Sequence, residues 1–172
     1  MMNQARTPSQ PQVSVVMGST SDLPLVRKAI ETLREFRVEY EVKVLSAHRT
    51  PDKAADFAKQ ARSRGVRVLI GAAGGAAHLA GTLAAHSTLP VIGIPVPTEH
   101  LGGLDSLLST VQMPSGVPVA TVAIGEAGAK NAALLAIEIL ALTDSALLKR
   151  LGHYREALTE QVEKAARDVR QE

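Results

Sequence analysis

The chain of 172 residues contains no cysteine, which excludes disulfide staples, a thiolate nucleophile and cysteine-ligated zinc. It contains no tryptophan, two phenylalanines and two tyrosines, so the aromatic platforms on which bases or a flavin ring stack are missing. The net charge is small as well. Nineteen Lys and Arg against 17 Asp and Glu give a formal +2, and the basic residues are spread along the chain, too thinly for a binder that neutralises nucleic-acid phosphates. Apolar stretches are broken by Gly, Pro or charge before they reach membrane-spanning length, and the opening MMNQARTPSQPQ has no apolar targeting core. No nucleic-acid or membrane partner is expected, and the cytoplasm is the expected compartment.

What is present is a core's worth of hydrophobic residues, 45% of the chain, enough for one domain of ordinary size. VSVVM, Val13 to Met17, is a β-branched run that stops at Gly18. Apolar residues at helical spacing follow over Leu23 to Phe36, at Leu25, Ala29, Ile30 and Leu33. The alternation repeats. VEYEVKVLS precedes a helix from Pro51, VRVLIGAA a helix over Ala76 to His86, PVIGIPV a helix over Asp105 to Val111, and PVATVAI the Ala/Leu-rich stretch after Glu126. Strands alternating with helices predict crossover connections and a parallel sheet covered on both faces, a three-layer α/β/α sandwich. Residues 1–12 read as a disordered tail and residues 13–172 as a single domain. A long amphipathic helix is predicted over 144–170, its stripe formed by Leu147, Leu151, Tyr154, Leu158, Val162, Ala165 and Val169. That stripe fits either its own sheet or another subunit.

In open parallel sheets ligands bind at the carboxyl ends of the strands, so the first three strand-exit loops are the candidates. GSTSD, Gly18 to Asp22, offers a glycine for close approach, hydroxyls and helix-start N–H groups suited to phosphate, and is equally an N-cap cluster. Asp22 would repel a phosphate placed against it and suits sugar hydroxyls one step away. In SAHRTP, Thr50 is a natural N-cap and Pro51 a natural first helical residue. Ser46, His48 and Arg49 are left over for chemistry: a guanidinium that can clamp phosphate and an imidazole that can donate and accept a proton near neutrality. GAAGGAAH, Gly71 to His78, has almost no side chain, so its N–H groups can hold an oxyanion, or its small residues can serve tight packing. His78 and His86 lack the spacing of two ligands on one helical face, and no metal is expected.

The series VMGSTSD, LSAHRTPDK, GAAGGAAHLAG, PVIGIPV and GLDSLLSTVQMPSGVPVATVAIG, in that order over Val13 to Leu142, resembles the 5-(carboxyamino)imidazole ribonucleotide mutase family of purine biosynthesis, the class I phosphoribosylaminoimidazole carboxylase catalytic subunit. The resemblance implies a flavodoxin-like fold, a homo-octamer, no cofactor or metal, and a carboxylate moved from the exocyclic nitrogen of the imidazole ribonucleotide to ring carbon 4. It implies a supply of that labile carbamate by an ATP-dependent synthetase. By residue, it implies that Ser19, Ser21 and Asp22 bind the phosphoribosyl group, that Ser46 is a loop serine of the substrate site, that Arg49 binds the phosphate and that His48 is the catalytic acid and base. Gly74, Gly75 and Ala76, with His78 just beyond, would form the carboxylate loop, and Gln112 to Pro114 would lie near subunit contacts. Ala80 stands where a proline is usual, and Thr98-Glu99-His100 is an unusual version of a variable loop; neither removes a group the chemistry needs. Two other functions are weighed against the mutase: a carboxylase that takes free carbon dioxide directly, and a non-catalytic flavodoxin-like module that binds a phosphorylated ligand.

Overall fold

The computed structural model describes residues 10–169. Five parallel strands, β1 (Val13–Met17), β2 (Tyr40–Val44), β3 (Val68–Ala73), β4 (Val91–Pro95) and β5 (Ala120–Thr121), form one sheet in the order β2-β1-β3-β4-β5. This is the flavodoxin-like order. Every connection carries a helix: α1 (Leu23–Glu35), α2 (Pro51–Ala61), α3 (Leu79–Ala85) and α4 (Leu104–Val111), followed by α5 (Glu126–Ala141) and α6 (Ser145–Val169).

Strand alternation sorts the core into two layers. Val13, Val15 and Met17 of β1 join Val68, Ile70, Ile92 and Ile94 beneath α1 and α5, while Val16, Leu69 and Val91 face α2 and α3 on the other side. Small residues let helices approach the second face closely. A Cβ on Gly71 would sit 3.1 Å from the Cα of Ala80, so Ala80, the departure from the usual proline, is a packing residue on α3.

The elements differ from the sequence-based bounds most at α3 and β5, and one expected cap does not form. The helix expected from Ala76 begins at Leu79, because residues 74–78 form a loop held by Ala77 N–H to Gly75 O and His78 N–H to Ala76 O, both 2.8 Å. β5 is two residues long rather than seven. Its partnership with β4 continues past the strand through Val122 N–H to Gly93 O and Gly125 N–H to Pro95 O. Thr50 occupies the N-cap position of α2 without capping it; its hydroxyl instead accepts from Ser46 N–H and donates to Ser46 O.

Of the expected N-terminal tail, residues 1–9 lie outside the described residues. Gln12, within that predicted tail, is already bound to the sheet, its N–H donating to Glu39 O and its carbonyl accepting from Arg67 N–H, both at 2.8 Å. At the other end, Leu147 and Leu151 of α6 are buried and Tyr154 meets Phe36 edge-on at 5.5 Å. From Thr159 to Val169 every residue is exposed, and Arg170 lies outside the described residues. The first half of the long helix thus covers its own domain and the second half does not. Among the described residues no helix is long and apolar enough to cross a membrane.

Candidate active site

β1 lies between β2 and β3, so the chain leaves β1 toward one side of the sheet and returns to add β3 on the other. The loops after these three strands diverge over that switch point, where open α/β sheets bind ligands. They enclose a cavity of about 410 Å³ lined by Gly18, Ser19, Ser21, Asp22, residues 46–49, Ala73, Gly74, Ala76, His78 and Leu79. That volume suits a small-molecule ligand.

The first loop is a single 3₁₀ turn over Thr20–Asp22. Ser19 is its N-cap: its Oγ accepts from Ser21 N–H at 3.3 Å and lies 2.8 Å from the Ser21 hydroxyl. Burial pushes the Asp22 carboxyl above the ordinary 3.8, and hydrogen bonds from the Ser21 hydroxyl and the Ser19 backbone only partly offset it. The N-cap and ligand-loop readings of GSTSD therefore coexist, since the turn that caps itself also lines the cavity.

The second loop is braced from within. Ser46 Oγ accepts from Arg49 N–H at 3.1 Å, Ser46 O accepts from Thr50 N–H at 2.9 Å, and the Thr50 hydroxyl closes the turn. Across the gap, Arg49 Nη2 donates to Gly18 O at 3.0 Å, which aims the guanidinium at the first loop. His48 Nε2 lies 2.7 Å from His78 Nδ1, with the rings edge-on at 4.8 Å and 80°. One nitrogen of this pair donates and the other accepts. A proton carrier on the second loop thus meets an imidazole of the third.

The third loop places one expected residue apart from the others. Ser19, Ser21, Asp22, Ser46, His48, Arg49, Gly74, Ala76 and His78 all line the cavity, but Gly75 does not. Its N–H donates to Ser106 Oγ at 2.9 Å and its carbonyl accepts from Ser109 Oγ at 3.2 Å and from Ala77 N–H. Gly75 adopts φ +66°, a left-handed conformation that glycine takes without strain. It shapes the loop, and its N–H is taken up by Ser106. Among the described residues, the Gly74 and Ala76 N–H groups have no protein acceptor, and both residues face the cavity. Ala47, Ala73 and Leu79 give the cavity an apolar wall; Ala73 belongs to the GAAGGAAH loop the sequence offered, while Ala47 and Leu79 were not singled out. Their only signal is small or aliphatic residues adjoining the polar loop positions. Among the described residues no group of three or more His, Asp or Glu is placed to hold a metal ion.

Comparison with known proteins bears on the family and the fold. The family described as AIR carboxylase matches residues 12–161. The chain is 56% identical over 147 residues to the N5-carboxyaminoimidazole ribonucleotide mutase of Bacillus subtilis, covering 86% of this chain and 91% of that protein. It is 55% identical over 146 residues to the protein of the same name from Pyrococcus abyssi, covering 85% and 83%. Among solved structures, Treponema denticola PurE superposes with a TM-score of 0.81 at 30% identity, over 90% of this chain and 95% of that one.

Proposed function

The chain belongs to the AIR carboxylase family, and from that membership we propose that it is an N5-carboxyaminoimidazole ribonucleotide mutase of purine biosynthesis, an isomerase that moves a carboxylate from the exocyclic nitrogen to ring carbon 4. The observation that supports this best is the meeting of an imidazole, a guanidinium, a carboxylate and a loop with two unpaired N–H groups around one small cavity.

Each residue takes a role that its surroundings suit. Arg49, held against the first loop, clamps the substrate phosphate with the Ser19 and Ser21 hydroxyls, and Ser46 keeps the Arg49 backbone in place. Asp22 accepts from the ribose hydroxyls. His48, protonated, gives its proton to the carbamate nitrogen. The bond from that nitrogen to the carboxyl carbon breaks, its electron pair stays on nitrogen, and carbon dioxide is released against the apolar wall of Ala47, Ala73 and Leu79. Carbon 4 of the electron-rich ring attacks the trapped carbon dioxide. The new carboxylate lies against the Gly74 and Ala76 N–H groups, and neutral His48 removes the carbon 4 proton. The imidazolium is restored and nothing is consumed. His78 contacts the same ligand and fixes which His48 nitrogen carries the proton.

We also place the enzyme in the cytoplasm as a homo-octamer, fed by an ATP-dependent synthetase that makes the labile carbamate. Leu101, Leu104, Leu108 and Val111 around α4 and Val162 and Val169 of α6 are exposed in the single chain; apolar surface of this kind favours association.

The family's own description favours one rival, direct carboxylation of the aminoimidazole ribonucleotide. Supplying each substrate separately decides between them. The purified protein should convert the carboxyamino ribonucleotide to the carbon 4 acid without ATP, biotin or added metal, and without loss of rate under chelators. Faster turnover of the uncarboxylated ribonucleotide with free carbon dioxide would assign it to the carboxylase branch, and no turnover of either would leave a binding module.

A further inference from the structure

The glycine loop is not held by its own sheet alone. Ser106 of α4 is fully buried, and its hydroxyl bridges two elements: it donates to Val96 O at 2.7 Å, just after β4, and accepts from Gly75 N–H at 2.9 Å. One helical turn on, Ser109 Oγ donates to Gly75 O at 3.2 Å. Spaced i and i+3, the two serines share a helix face and grip both polar groups of one residue. The grip is itself anchored. Thr98 donates to Asp105 Oδ1 at 2.7 Å and accepts from Gly103 N–H at 3.1 Å, which ties the start of α4 to the loop after β4.

Gly75 turns away from the cavity, as Ala77 does, and its neighbours on either side, Gly74 and Ala76, line it. A Cβ on Gly75 would meet nothing within 4 Å, so side-chain packing does not fix this residue. The hydrogen bonds do. We infer that Ser106 and Ser109 are positioning residues of the active site: by holding Gly75 outward they fix the Gly74 and Ala76 N–H groups at the spacing that receives the migrating carboxylate. What those N–H groups bind rests on the mutase reading; the clamp itself does not.

Neither serine lines the cavity, so their loss separates transition-state placement from substrate affinity. A displacement of about 1 Å at a reacting group costs on the order of 100-fold in rate. Ser106→Ala should therefore lower kcat per folded site by about 10- to 100-fold with KM within about twofold of wild type. Ser109→Ala removes one longer bond and should lower kcat less, and Ser109→Thr, which keeps the hydroxyl at a partly exposed position, should restore it. Amide hydrogen exchange supplies a readout independent of turnover: Gly75 N–H should exchange slowly in wild type and rapidly in Ser106→Ala. If Ser106→Ala does not fold, the Ser109 pair carries the test, with exchange read across residues 74–77. Slow Gly75 exchange in a wild type that turns over neither ribonucleotide would retain the clamp and remove the mutase reading. Unchanged Gly75 exchange with unchanged kcat in Ser106→Ala, or equal kcat in Ser109→Ala and Ser109→Thr, would overturn the clamp.

Discussion

Arg49→Ala gives the sharpest separation of binding from chemistry. In the unliganded chain the guanidinium donates to Gly18 O at 3.0 Å while its backbone N–H is held by Ser46 Oγ at 3.1 Å. The side chain is therefore pre-placed beside the serines of the first loop. A bidentate clamp on a phosphate makes two charge-assisted hydrogen bonds of about 1.5–3 kcal/mol each in buried settings. Arg49 stands on the exposed rim, where solvent screens them, so their joint loss is worth about 2–3 kcal/mol, or about 30- to 150-fold in affinity. The phosphate is remote from the reacting carbon and is gripped alike in ground and transition states. The cost therefore falls on KM, and kcat stays within about threefold. Folding should hardly notice: the bond to Gly18 O is exposed and worth about 0.5 kcal/mol, or about 1–2 °C in Tm. Steady-state kinetics on the carboxyamino ribonucleotide, with inorganic phosphate as competitor, reads both constants. Arg49→Lys should recover only part of the loss, since a point charge does not reproduce the planar fork. A variant with unchanged KM and a kcat reduced about 100-fold would place Arg49 at the reacting atoms and refute the phosphate role.

Two further predictions concern the scaffold. Burial alone would raise the Glu41 carboxyl, but the Ser14 hydroxyl at 2.6 Å, the Arg64 guanidinium at 3.1 Å and Lys43 outweigh it and hold the group below its ordinary 4.5. A lowered folded value means that ionised Glu41 stabilises the fold above that ordinary value, and that the benefit disappears as pH falls through the lower folded one. Glu41→Gln should lower Tm by about 2–4 °C at pH 7, with the gap closing on acidification below pH 4.5; a gap that is constant from neutral pH to pH 3 would contradict the assignment. The exposed α4 stripe predicts an elution mass several times that of one chain and a smaller species for a Leu104→Glu, Leu108→Glu double variant; a wild-type monomer would remove the octamer.

The sequence displays what is local and periodic. Strand runs ending at Gly18, Ser46 and Gly74 announce where the loops leave the sheet, and the side chains left over after capping and turn chemistry are accounted for, Ser46, His48 and Arg49, do reach the cavity. Contacts between loops distant in the chain have no such signature. The approach of His48 to His78, 30 residues apart, and the hold of Ser106 on Gly75, 31 residues apart, follow from strand order, which periodicity does not encode. Gly75 shows the cost: in sequence it resembles Gly74, yet its peptide is bonded to α4 and does not line the cavity. Ser106 and Thr110, four residues apart, are the buried pair on α4, while its Leu104, Leu108 and Val111 are exposed; the apolar periodicity of this helix therefore points away from the domain and hides the hydroxyl face that packs. The Ser14–Glu41 bond is equally hidden. It appears only when β1 and β2 pair in parallel with those residues in register.

The central claim is that His48 moves the proton both ways. Its most direct test is turnover of the carboxyamino ribonucleotide by wild type and His48→Asn, with nucleotide binding measured on both. The account predicts a kcat at least about 100- to 10,000-fold lower in the variant, with affinity within about threefold of wild type. A variant that produces the carbon 4 acid at a rate close to wild type would contradict it.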